Sequence, residues 1–522
     1  MTRKKNIEFL KNNNNCWDFI VIGGGATGLG IAVDAACRGF KTVLLEQSDF
    51  AKATSGRSTK LVHGGVRYLQ KGDLTLLHEA LRERGFLRRN APHLVKDQRF
   101  IIANYQWWEK PFYTIGLTLY DRMAGKLGFG RSFPMSKASV IKAIPQIIQK
   151  GLRGGVAYHD GQFDDARLAV NLMQTAIEKG AVVVNYAKVT GLLKYGGKVS
   201  GVTVHDEIGG ECFDLKGKCM VNATGIFVDE IIQMDDKEKT PMVRPSQGVH
   251  LVVDRSFLGG DDAIMIPRTS DGRVLFGVPW HNRLILGTTD TPVKEFVLEP
   301  RPLEEEIDFI LNTSAAYLVR PPQREDVLCV FAGLRPLAAP KRHADEKKTK
   351  EISRRHKLIS SDSGLITITG GKWTTYRQMA QETVDLGIKK CGLPAKKCVT
   401  KNIQIHGYQP TAEYHNWRYV YGSDGDKILA LQNEKQEYAE KLHPGFDFTV
   451  AEVVWAVRDE MAVTVEDVLA RRVRALYFDA RASMEIAPKV ARIMAQELEK
   501  DETWVKSQVK DFIELANGYV LK

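Results

Sequence analysis

A glycine-rich turn near the start of the chain constrains the fold more than any other feature of the sequence. The apolar, β-branched run DFIVI (residues 18–22) predicts a buried strand, and GGGATGLG follows it directly. Residues 26–38 then have apolar side chains at helical spacing, and Gly39 predicts the end of that helix before a second strand, KTVLLE. This order of elements predicts a β-α-β unit.

The glycines of the turn have the spacing of a phosphate-binding loop. Gly23, Gly25 and Gly28 form the pattern GxGxxG, which serves a tight turn, close approach of the backbone to a pyrophosphate, and close packing of helix on strand. The free N–H groups at the helix start would face the phosphates. Glu46 ends the second strand, where a carboxylate can accept hydrogen bonds from an adenosine ribose. We therefore predict an adenine dinucleotide, and the loop alone fits both NAD and FAD.

Length and composition exclude several classes of protein. The 522 residues suffice for roughly two to four domains, and 43% hydrophobic with 26% charged residues is typical of a globular chain. No apolar run reaches the roughly 18 to 20 residues of a membrane-spanning helix, which excludes an integral membrane protein. The net charge of +11 favours anionic partners. The seven scattered cysteines indicate a reducing compartment and no metal site.

Two further glycine turns favour FAD over NAD. VNATG (221–225) closes a later strand, and GLITITGGK (364–372) leads from another strand into a helix. Three separated segments of this kind fit a fold that surrounds one embedded flavin. We predict an α/β fold that combines an FAD-binding Rossmann-type domain, an antiparallel-sheet substrate domain and a C-terminal helical domain.

The predicted domains are discontinuous along the chain. Their ranges are 17–80 with 155–240 and 358–395 for the FAD-binding domain, 81–154 with 241–357 for the substrate-binding domain, and 400–522 for the C-terminal helical domain. The residues before the first strand lack the apolar stretch of a signal peptide, and we expect them to be a short solvated lead-in.

Several polar residues beyond the glycine turn could carry chemistry, although a purely structural role stays open for each. His63 lies close to Arg67 and Tyr68; its imidazole could accept a proton near neutral pH, and the Arg67 guanidinium could hold an anion. Arg335 is flanked by apolar residues in FAGLRPL, so its burial would require a substrate or a carboxylate partner. Lys372 follows two glycines at a helix start, where its charge suits an anion or a reduced flavin.

Taken together, these motifs resemble the FAD-dependent (aerobic, respiratory) glycerol-3-phosphate dehydrogenases over nearly the whole chain. The matching stretches are DFIVIGGGATGLGIAVDAACRGFKTVLLE, ATSGRSTKLVHGGVRYL, DDARL, VNATG, GVHLVV, GTTDT, GLRPL and GGKWTTYR. The resemblance implies oxidation of sn-glycerol 3-phosphate to dihydroxyacetone phosphate, with hydride passing from C2 to flavin N5 and electrons leaving to membrane quinone. An oxidase that uses O2 and releases H2O2 has the same motifs and is the alternative.

The same resemblance implies the contact residues. Those for FAD are Gly23, Gly25, Gly28, Glu46, Thr54, Ser55, Ser58, Lys60, Leu61, Ala223, Gly225, Gly371, Lys372, Trp373 and Thr374. Those for the substrate are His63, Arg67, Tyr68, Arg335 and Lys372. We expect His63 to be the catalytic base, Arg335 and Arg67 to hold the anion, and Lys372 to stabilise the reduced ring.

The quinone acceptor, the positive charge and the aromatic-basic segment 107–120 favour a peripheral protein on an acidic lipid surface. The same aromatic residues could also pack as ordinary core. We expect the cytoplasmic face of a bacterial inner membrane, or otherwise the cytoplasm, because the chain ends without a calcium-binding extension. The basic run 341–357 lacks interleaved aromatic residues, so we expect no nucleic-acid partner, and a homodimer is left open.

Overall fold

The computed structural model describes most of the chain. The described ranges are 3–13, 15–65, 73–269, 272–338 and 356–521. Arg67 and Tyr68, which we predicted to line the substrate site, lie outside the described residues.

The first sheet carries the glycine turn. Its central strand β1 (Trp17–Ile22) lies between β10 (Cys212–Asn222) and β2 (Thr42–Leu45), and all three run parallel. Five of the six β1 residues are buried, as a strand covered on both faces requires. The other strands of this sheet among the described residues are β7 (Val182–Val184), β8 (Ala187–Tyr195), β9 (Lys198–Asp206), β17 (Lys357–Ser360) and β18 (Ile366–Thr369).

Helices cover this sheet. The helix after the glycine turn is α2 (Ala26–Cys37), and α6 (Asp165–Glu178) and α9 (Tyr376–Lys390) pack against it. α2 is buried over most of its length because neighbouring helices flank it. The predicted β-α-β unit is therefore present, with its helix start directed at the loop after β1.

The N-terminal segment is a helix rather than the solvated lead-in that we expected. In α1 (Arg3–Asn12), Ile7 and Leu10 are buried, and Arg3 donates a hydrogen bond to the carbonyl of Asn185 at 2.9 Å. The expectation was wrong because the helix buries only a narrow stripe, and its apolar residues are outnumbered by lysines and asparagines in the sequence.

The second sheet is mostly antiparallel, as the alternation of the sequence predicted. β11 (Val243–Asp254) pairs with β16 (Cys329–Ala338) along almost its whole length, and β4 (Lys96–Asn104) pairs with β6 (Gly154–Gln162). The other strands of this sheet among the described residues are β3 (Leu61–Val62), β5 (Phe133–Met135), β12 (Ala263–Ile266), β13 (Leu275–Trp280), β14 (Arg283–Gly287) and β15 (Thr291–Pro292).

The second sheet includes two segments that we had assigned to the FAD-binding domain. The boundary proposed between residues 154 and 155 falls inside β6, and β3 pairs with the end of β6. Short buried strands such as β3 carry too little periodicity to show which sheet they join. The helices associated with this region are α3 (Leu74–Asn90), α4 (Glu109–Ala124), α5 (Lys137–Ala143) and α8 (Glu304–Ala315), whereas α7 (Val228–Asp235) packs on β8 and β18 of the first sheet.

The C-terminal region is helical and is joined to the first sheet's layer by buried ion pairs. Its helices are α10 (Gly425–Glu434), α11 (Val450–Asp459), α12 (Ala475–Phe478), α13 (Ala480–Leu498) and α14 (Glu502–Asn517). Arg167 of α6 donates two hydrogen bonds of 2.8 Å to Glu460, and Arg472 donates to Asp49 at 2.7 and 2.9 Å. Breaking one partner of a buried pair costs about 3–5 kcal/mol, so these contacts fix the C-terminal region in place.

A histidine at the same interface predicts a pH-dependent contribution to stability. His406 Nδ1 is 2.5 Å from Glu178 and Nε2 is 2.6 Å from Asp424. Burial alone would lower the pKa of His406, but the two carboxylates outweigh burial and raise it. The stability gained is therefore complete below the ordinary histidine pKa of about 6.5 and is lost as pH rises through the raised value.

We expect His406→Gln to lower the free energy of unfolding by on the order of 1 kcal/mol at about pH 6 and by much less at about pH 9. Urea denaturation at the two pH values measures the difference. His415→Gln is the control, because the His415 side chain is 82% exposed. An equal loss for His406→Gln at both pH values would contradict the assignment.

Candidate functional site

A cavity of about 1010 Å³ lies between the two sheets and is lined from both. The loops of the first sheet contribute Gly23, Gly25, Glu46 and Ala223, among others. The second sheet contributes a mostly apolar wall that includes Phe100, Tyr158, Met265 and Phe276. A cavity of this size is at the upper end of the range for small-molecule and cofactor sites.

The glycine turn forms a backbone cradle at the cavity. Gly23 has a φ of 109°, in the region that only glycine adopts readily, and a Cβ on Gly28 would lie 1.8 Å from the Gly23 carbonyl oxygen. Gly28 does not itself line the cavity, so its part is to let α2 approach the turn. The Ala26 N–H donates to the Ser55 hydroxyl oxygen at 3.0 Å, which joins the helix start to the next loop. This cradle fits a dinucleotide pyrophosphate.

Glu46 lies where the sequence placed the ribose-binding carboxylate. It lines the cavity, and its two carboxylate oxygens accept the N–H groups of Gly24 at 2.6 Å and Ser48 at 2.9 Å. Burial raises the pKa of Glu46, and these two backbone donors oppose that shift. Each oxygen has two lone pairs, so the carboxylate keeps acceptor capacity for a ribose.

Hydrogen bonds join the three glycine-containing segments around the cavity. Trp373 Nε1 donates to the Ser55 carbonyl at 2.8 Å, and the Thr374 hydroxyl donates to the His63 carbonyl at 3.3 Å. These partners are 318 and 311 residues apart in the sequence. The Ala223 N–H also donates to the Ile22 carbonyl at 2.9 Å, and the Thr369 hydroxyl donates to the Gly225 carbonyl at 3.4 Å, so the three segments that we predicted to surround one flavin are in direct contact.

Arg335 is a fixed cation in the cavity wall. Its Nη1 donates to the Gln247 carbonyl at 3.2 Å and to Asp290 at 3.3 Å, and its Nη2 donates to the Thr288 hydroxyl at 3.0 Å and the Thr289 carbonyl at 2.9 Å. The carboxylate of Asp290 supplies the partner that burial of an arginine requires. Any anion bound by Arg335 shares that cation with Asp290.

His63 and Lys372 also line the cavity. His63 is partly buried, and the next residue, Gly64, donates its N–H to Asp160 at 3.2 Å. Asp160 is held by Arg84 at 2.6 Å, so the backbone beside His63 is anchored to a buried ion pair. The structure thus brings His63, Lys372 and Arg335 to one cavity.

His250 is a cavity residue that the sequence motifs did not reveal. Its Nε2 is 2.9 Å from the Thr59 hydroxyl, and its ring stacks on Phe331 with centroids 4.8 Å apart. Burial, together with the charges of Lys60 and Arg335, lowers its pKa well below 6.5, so the ring is neutral at pH 7. The signal in the sequence was a single histidine inside the apolar strand GVHLVV.

Most of the predicted cofactor residues line the cavity. Those that do are Gly23, Gly25, Glu46, Thr54, Ser55, Ser58, Leu61, Ala223, Gly225, Gly371, Lys372, Trp373 and Thr374. Lys60 does not: its ammonium is fully buried behind the wall and pairs with Asp165 at 2.7 Å. This geometry therefore does not favour the predicted direct contact between the Lys60 side chain and FAD. The other contacts stay predictions.

Comparison with known proteins identifies the family. Residues 18–377 match the FAD dependent oxidoreductase family, and residues 364–505 match the C-terminal domain of alpha-glycerophosphate oxidase. The mitochondrial glycerol-3-phosphate dehydrogenase of Bos taurus is 38% identical over 557 residues, which cover 99% of this chain and 75% of that protein. The chain belongs to the FAD-dependent glycerol-3-phosphate dehydrogenase family.

Other relatives agree with this assignment. The mitochondrial glycerol-3-phosphate dehydrogenase of Schizosaccharomyces pombe is 37% identical and covers 98% of this chain and 89% of its own length. The solved structure of glycerol-3-phosphate dehydrogenase from Bacillus halodurans in complex with FAD has a TM-score of 0.81 and 30% identity, and the match covers 99% of this chain and 98% of that one. L-alpha-glycerophosphate oxidase from Mycoplasma pneumoniae, at 16% identity and a TM-score of 0.58, shares the fold.

For this member of the FAD-dependent glycerol-3-phosphate dehydrogenase family, the cofactor is FAD, as predicted. The predicted fold class is confirmed as well, including the helical C-terminal region. The residues present fit the cofactor: the backbone of Gly23 and Gly25 would hold the pyrophosphate, and Glu46 would hold the ribose. Bound FAD supplies a ring that accepts a hydride.

Proposed function

We propose that this protein oxidises sn-glycerol 3-phosphate to dihydroxyacetone phosphate with FAD as the hydride acceptor. The observation that carries this proposal is the cavity itself, because it joins the glycine cradle to His63, Arg335 and Lys372. Dehydrogenases and an oxidase that act on this substrate are among the similar proteins, which supports the substrate class.

The substrate is a small dianion, and fixed cations suit it. Four hydrogen bonds hold the Arg335 guanidinium in place, so binding an anion costs that side chain little further entropy. Lys372 adds a second cation at the start of a helical turn. Arg67 and Tyr68 stay predicted members of this site. Anchoring the phosphate in this way positions the C2 carbon and so supplies much of the catalysis.

His63 is our proposed acceptor of the C2 hydroxyl proton. It lines the cavity and is partly buried, whereas His250 is almost completely buried and its Nε2 is already 2.9 Å from the Thr59 hydroxyl. Histidine is the side chain most often used for proton transfer around neutral pH. Phe100, Met265 and Phe276 give the cavity an apolar wall, which would exclude water from a bound substrate.

Anaerobic titration with glycerol 3-phosphate tests the reaction. We expect stoichiometric bleaching of the flavin band near about 450 nm, and no bleaching with glycerol, which lacks the phosphate. A flavin that stays oxidised in excess glycerol 3-phosphate would refute the proposed substrate. In the same assay, full single-turnover reduction by His63→Ala across pH would refute His63 as the base.

A second molecule must accept the electrons from the reduced flavin. We propose membrane quinone, and O2 with release of H2O2 is the alternative. Turnover with a soluble quinone under argon, together with negligible peroxide in air, is the expected result. Stoichiometric peroxide without any response to quinone would instead establish an oxidase.

We further propose that α4 rests on an acidic lipid surface, at the cytoplasmic face of a bacterial inner membrane. None of the described helices is long and apolar enough to cross a membrane. α4 buries Tyr113, Leu117 and Tyr120 on one side, so these residues pack as ordinary core, which was the alternative for this segment. Its other face and its start expose Trp107 (75%), Phe112 (52%), Ile115 (72%) and Leu119 (47%). Exposed Lys126, Arg131 and Lys137 follow in the sequence.

This face gives a direct prediction for lipid binding. We expect the double variant Phe112→Ser, Ile115→Ser to lose about 100-fold or more of its affinity for vesicles with acidic lipid, because each apolar side chain inserted contributes about 1.5–3 kcal/mol. Sedimentation with vesicles measures it. Ile208→Ser is the control, since Ile208 is 46% exposed in the turn between β9 and β10. Equal sedimentation of all three proteins would reject this face.

A further inference from the structure

Two of the sequence motifs meet behind the cavity wall. Asp165 of the DDARL segment points at residues 54–60, and its Oδ2 accepts hydrogen bonds from the Ser58 N–H at 2.9 Å, the Ser58 hydroxyl at 2.7 Å and the Lys60 ammonium at 2.7 Å. One carboxylate oxygen therefore holds both the backbone and the side chains of this segment.

Lys60 is the centre around which the segment bends. Its side chain is wholly buried, and its ammonium also donates to the carbonyls of Gly56 at 3.1 Å and Ser58 at 3.2 Å. Its φ of 63° is in the left-handed region, which costs a non-glycine residue free energy unless the surroundings hold it. The ring centroids of Trp280, Phe331 and Tyr477 lie 5.6, 5.2 and 5.3 Å from the ammonium.

The C-terminal region reaches the same place through Arg474. The Arg474 Nη2 donates to the Gly56 carbonyl at 3.2 Å and to Asp165 Oδ1 at 3.0 Å, and its Nη1 donates to Ala470 at 3.0 Å. We refer to Lys60, Asp165 and Arg474 as the buried triad. Its three charges are all within the interior, and α6 and the C-terminal region each supply one of them.

The other side of this segment faces the cavity. Thr54, Ser55, Ser58 and Thr59 line it. The Ser55 hydroxyl accepts the first N–H of α2, and the Thr54 hydroxyl donates to the second sheet at Leu334. The segment is thus a wall between the cavity and the buried triad.

We propose that the buried triad is a positioning unit through which the C-terminal region fixes residues 54–60 as the wall of the FAD site. The inference deepens the proposed function but rests only on FAD as the cofactor, so a different substrate would leave it standing. None of the three triad side chains lines the cavity, and they act through Ser55, Ser58 and Thr59.

The test compares two buried arginines at one interface. Arg474→Met removes a contact to the wall, whereas Arg167→Met removes the pair with Glu460, which joins α6 to the same C-terminal region without touching residues 54–60. FAD affinity of the apoproteins is measured by flavin fluorescence, and stability by thermal unfolding without FAD.

We expect both variants to unfold at lower temperature but only Arg474→Met to raise the Kd for FAD, by about tenfold, since one charge-assisted hydrogen bond has roughly this effect. An equal change in Kd for both variants would overturn the proposal. If Arg474→Met gives no folded protein, Arg474→Lys and Arg167→Lys are compared instead. An increase in Kd of about threefold or more for Arg474→Lys alone is then expected, because a lysine cannot reproduce the two-pronged contact.

A pH profile provides a readout that a loss of stability would not produce. Burial lowers the pKa of Lys60 to about 8, against the attraction of Asp165. The other charged or titratable groups facing it are Asp164, Arg474, Tyr477 and His250. Burial outweighs that attraction, so a loosened and solvated wall would hold the Lys60 proton more tightly than the formed wall does. Loosening therefore takes up a proton, and it becomes less favourable as pH rises from about 8 towards the ordinary lysine pKa of about 10.4.

We therefore expect the Kd of the wild-type apoprotein for FAD to fall between about pH 7 and pH 9.5 and the Kd of Lys60→Met to stay flat over that range. Lys60→Met keeps an apolar side chain among the three rings, which suits thioether contacts with aromatic groups. The same pH slope in both proteins would refute the part assigned to Lys60.

Discussion

Gly28→Ala is expected to give a nearly colourless protein, with a Kd for FAD raised by about 100-fold or more. A Cβ on Gly28 would lie 1.8 Å from the Gly23 carbonyl oxygen, far inside any tolerable contact, and that atom is backbone and cannot rotate away. α2 must then move off the turn, and its N-terminal N–H groups leave the pyrophosphate position. The ratio of flavin to protein absorbance and a fluorescence titration measure the effect.

The control for this change is Gly425→Ala. Gly425 is the first residue of α10, and an added Cβ there meets nothing within 4 Å. We expect this variant to be as yellow as the wild type and slightly more stable, because alanine favours a helix over glycine. A Gly28→Ala protein with wild-type FAD affinity would show that the turn does not hold the cofactor.

Arg335→Gln is the second large effect, and it should fall on the substrate. We expect kcat/KM for glycerol 3-phosphate to drop by about 10³-fold, with FAD affinity unchanged. The substitution removes the cation and leaves the Asp290 carboxylate uncompensated beside an incoming dianion. Steady-state kinetics with a soluble acceptor and an FAD titration give the two numbers.

Arg283→Gln is the matched control. Arg283 is on β14 of the same sheet, but its side chain donates to the Phe478 carbonyl and does not line the cavity. We expect its kcat/KM to stay within about twofold of wild type. If Arg335→Gln lowers kcat/KM by less than tenfold, the other cations of the cavity, and not Arg335, hold the anion.

The cofactor half of the site was readable from the sequence because local rules determine it. The glycine turn, α2 and Glu46 lie within one β-α-β unit, and each position follows from backbone geometry over a few residues. Arg335 and Lys372 were found because a charged residue between apolar or glycine neighbours is unusual.

Long-range packing explains what the sequence did not reveal. Lys60 is adjacent in sequence to Thr59, which lines the cavity. Its side chain points away from the cavity because it pairs with Asp165, which lies on the distant helix α6. His250 lies in the cavity wall because β11 pairs with both β14 and β16, and periodicity alone does not specify those partners. The boundary inside β6 has the same cause.

The hydrogen bonds from Trp373 to Ser55 and from Thr374 to His63 have a consequence for synthesis on the ribosome. The cradle is translated first, yet the residues that close it emerge more than three hundred residues later, and Arg474 emerges later still. A nascent chain at normal elongation speed therefore spends tens of seconds with an open, unfinished pocket. The protein can therefore bind its vitamin-derived cofactor only late in synthesis, and a truncated product released early should be colourless.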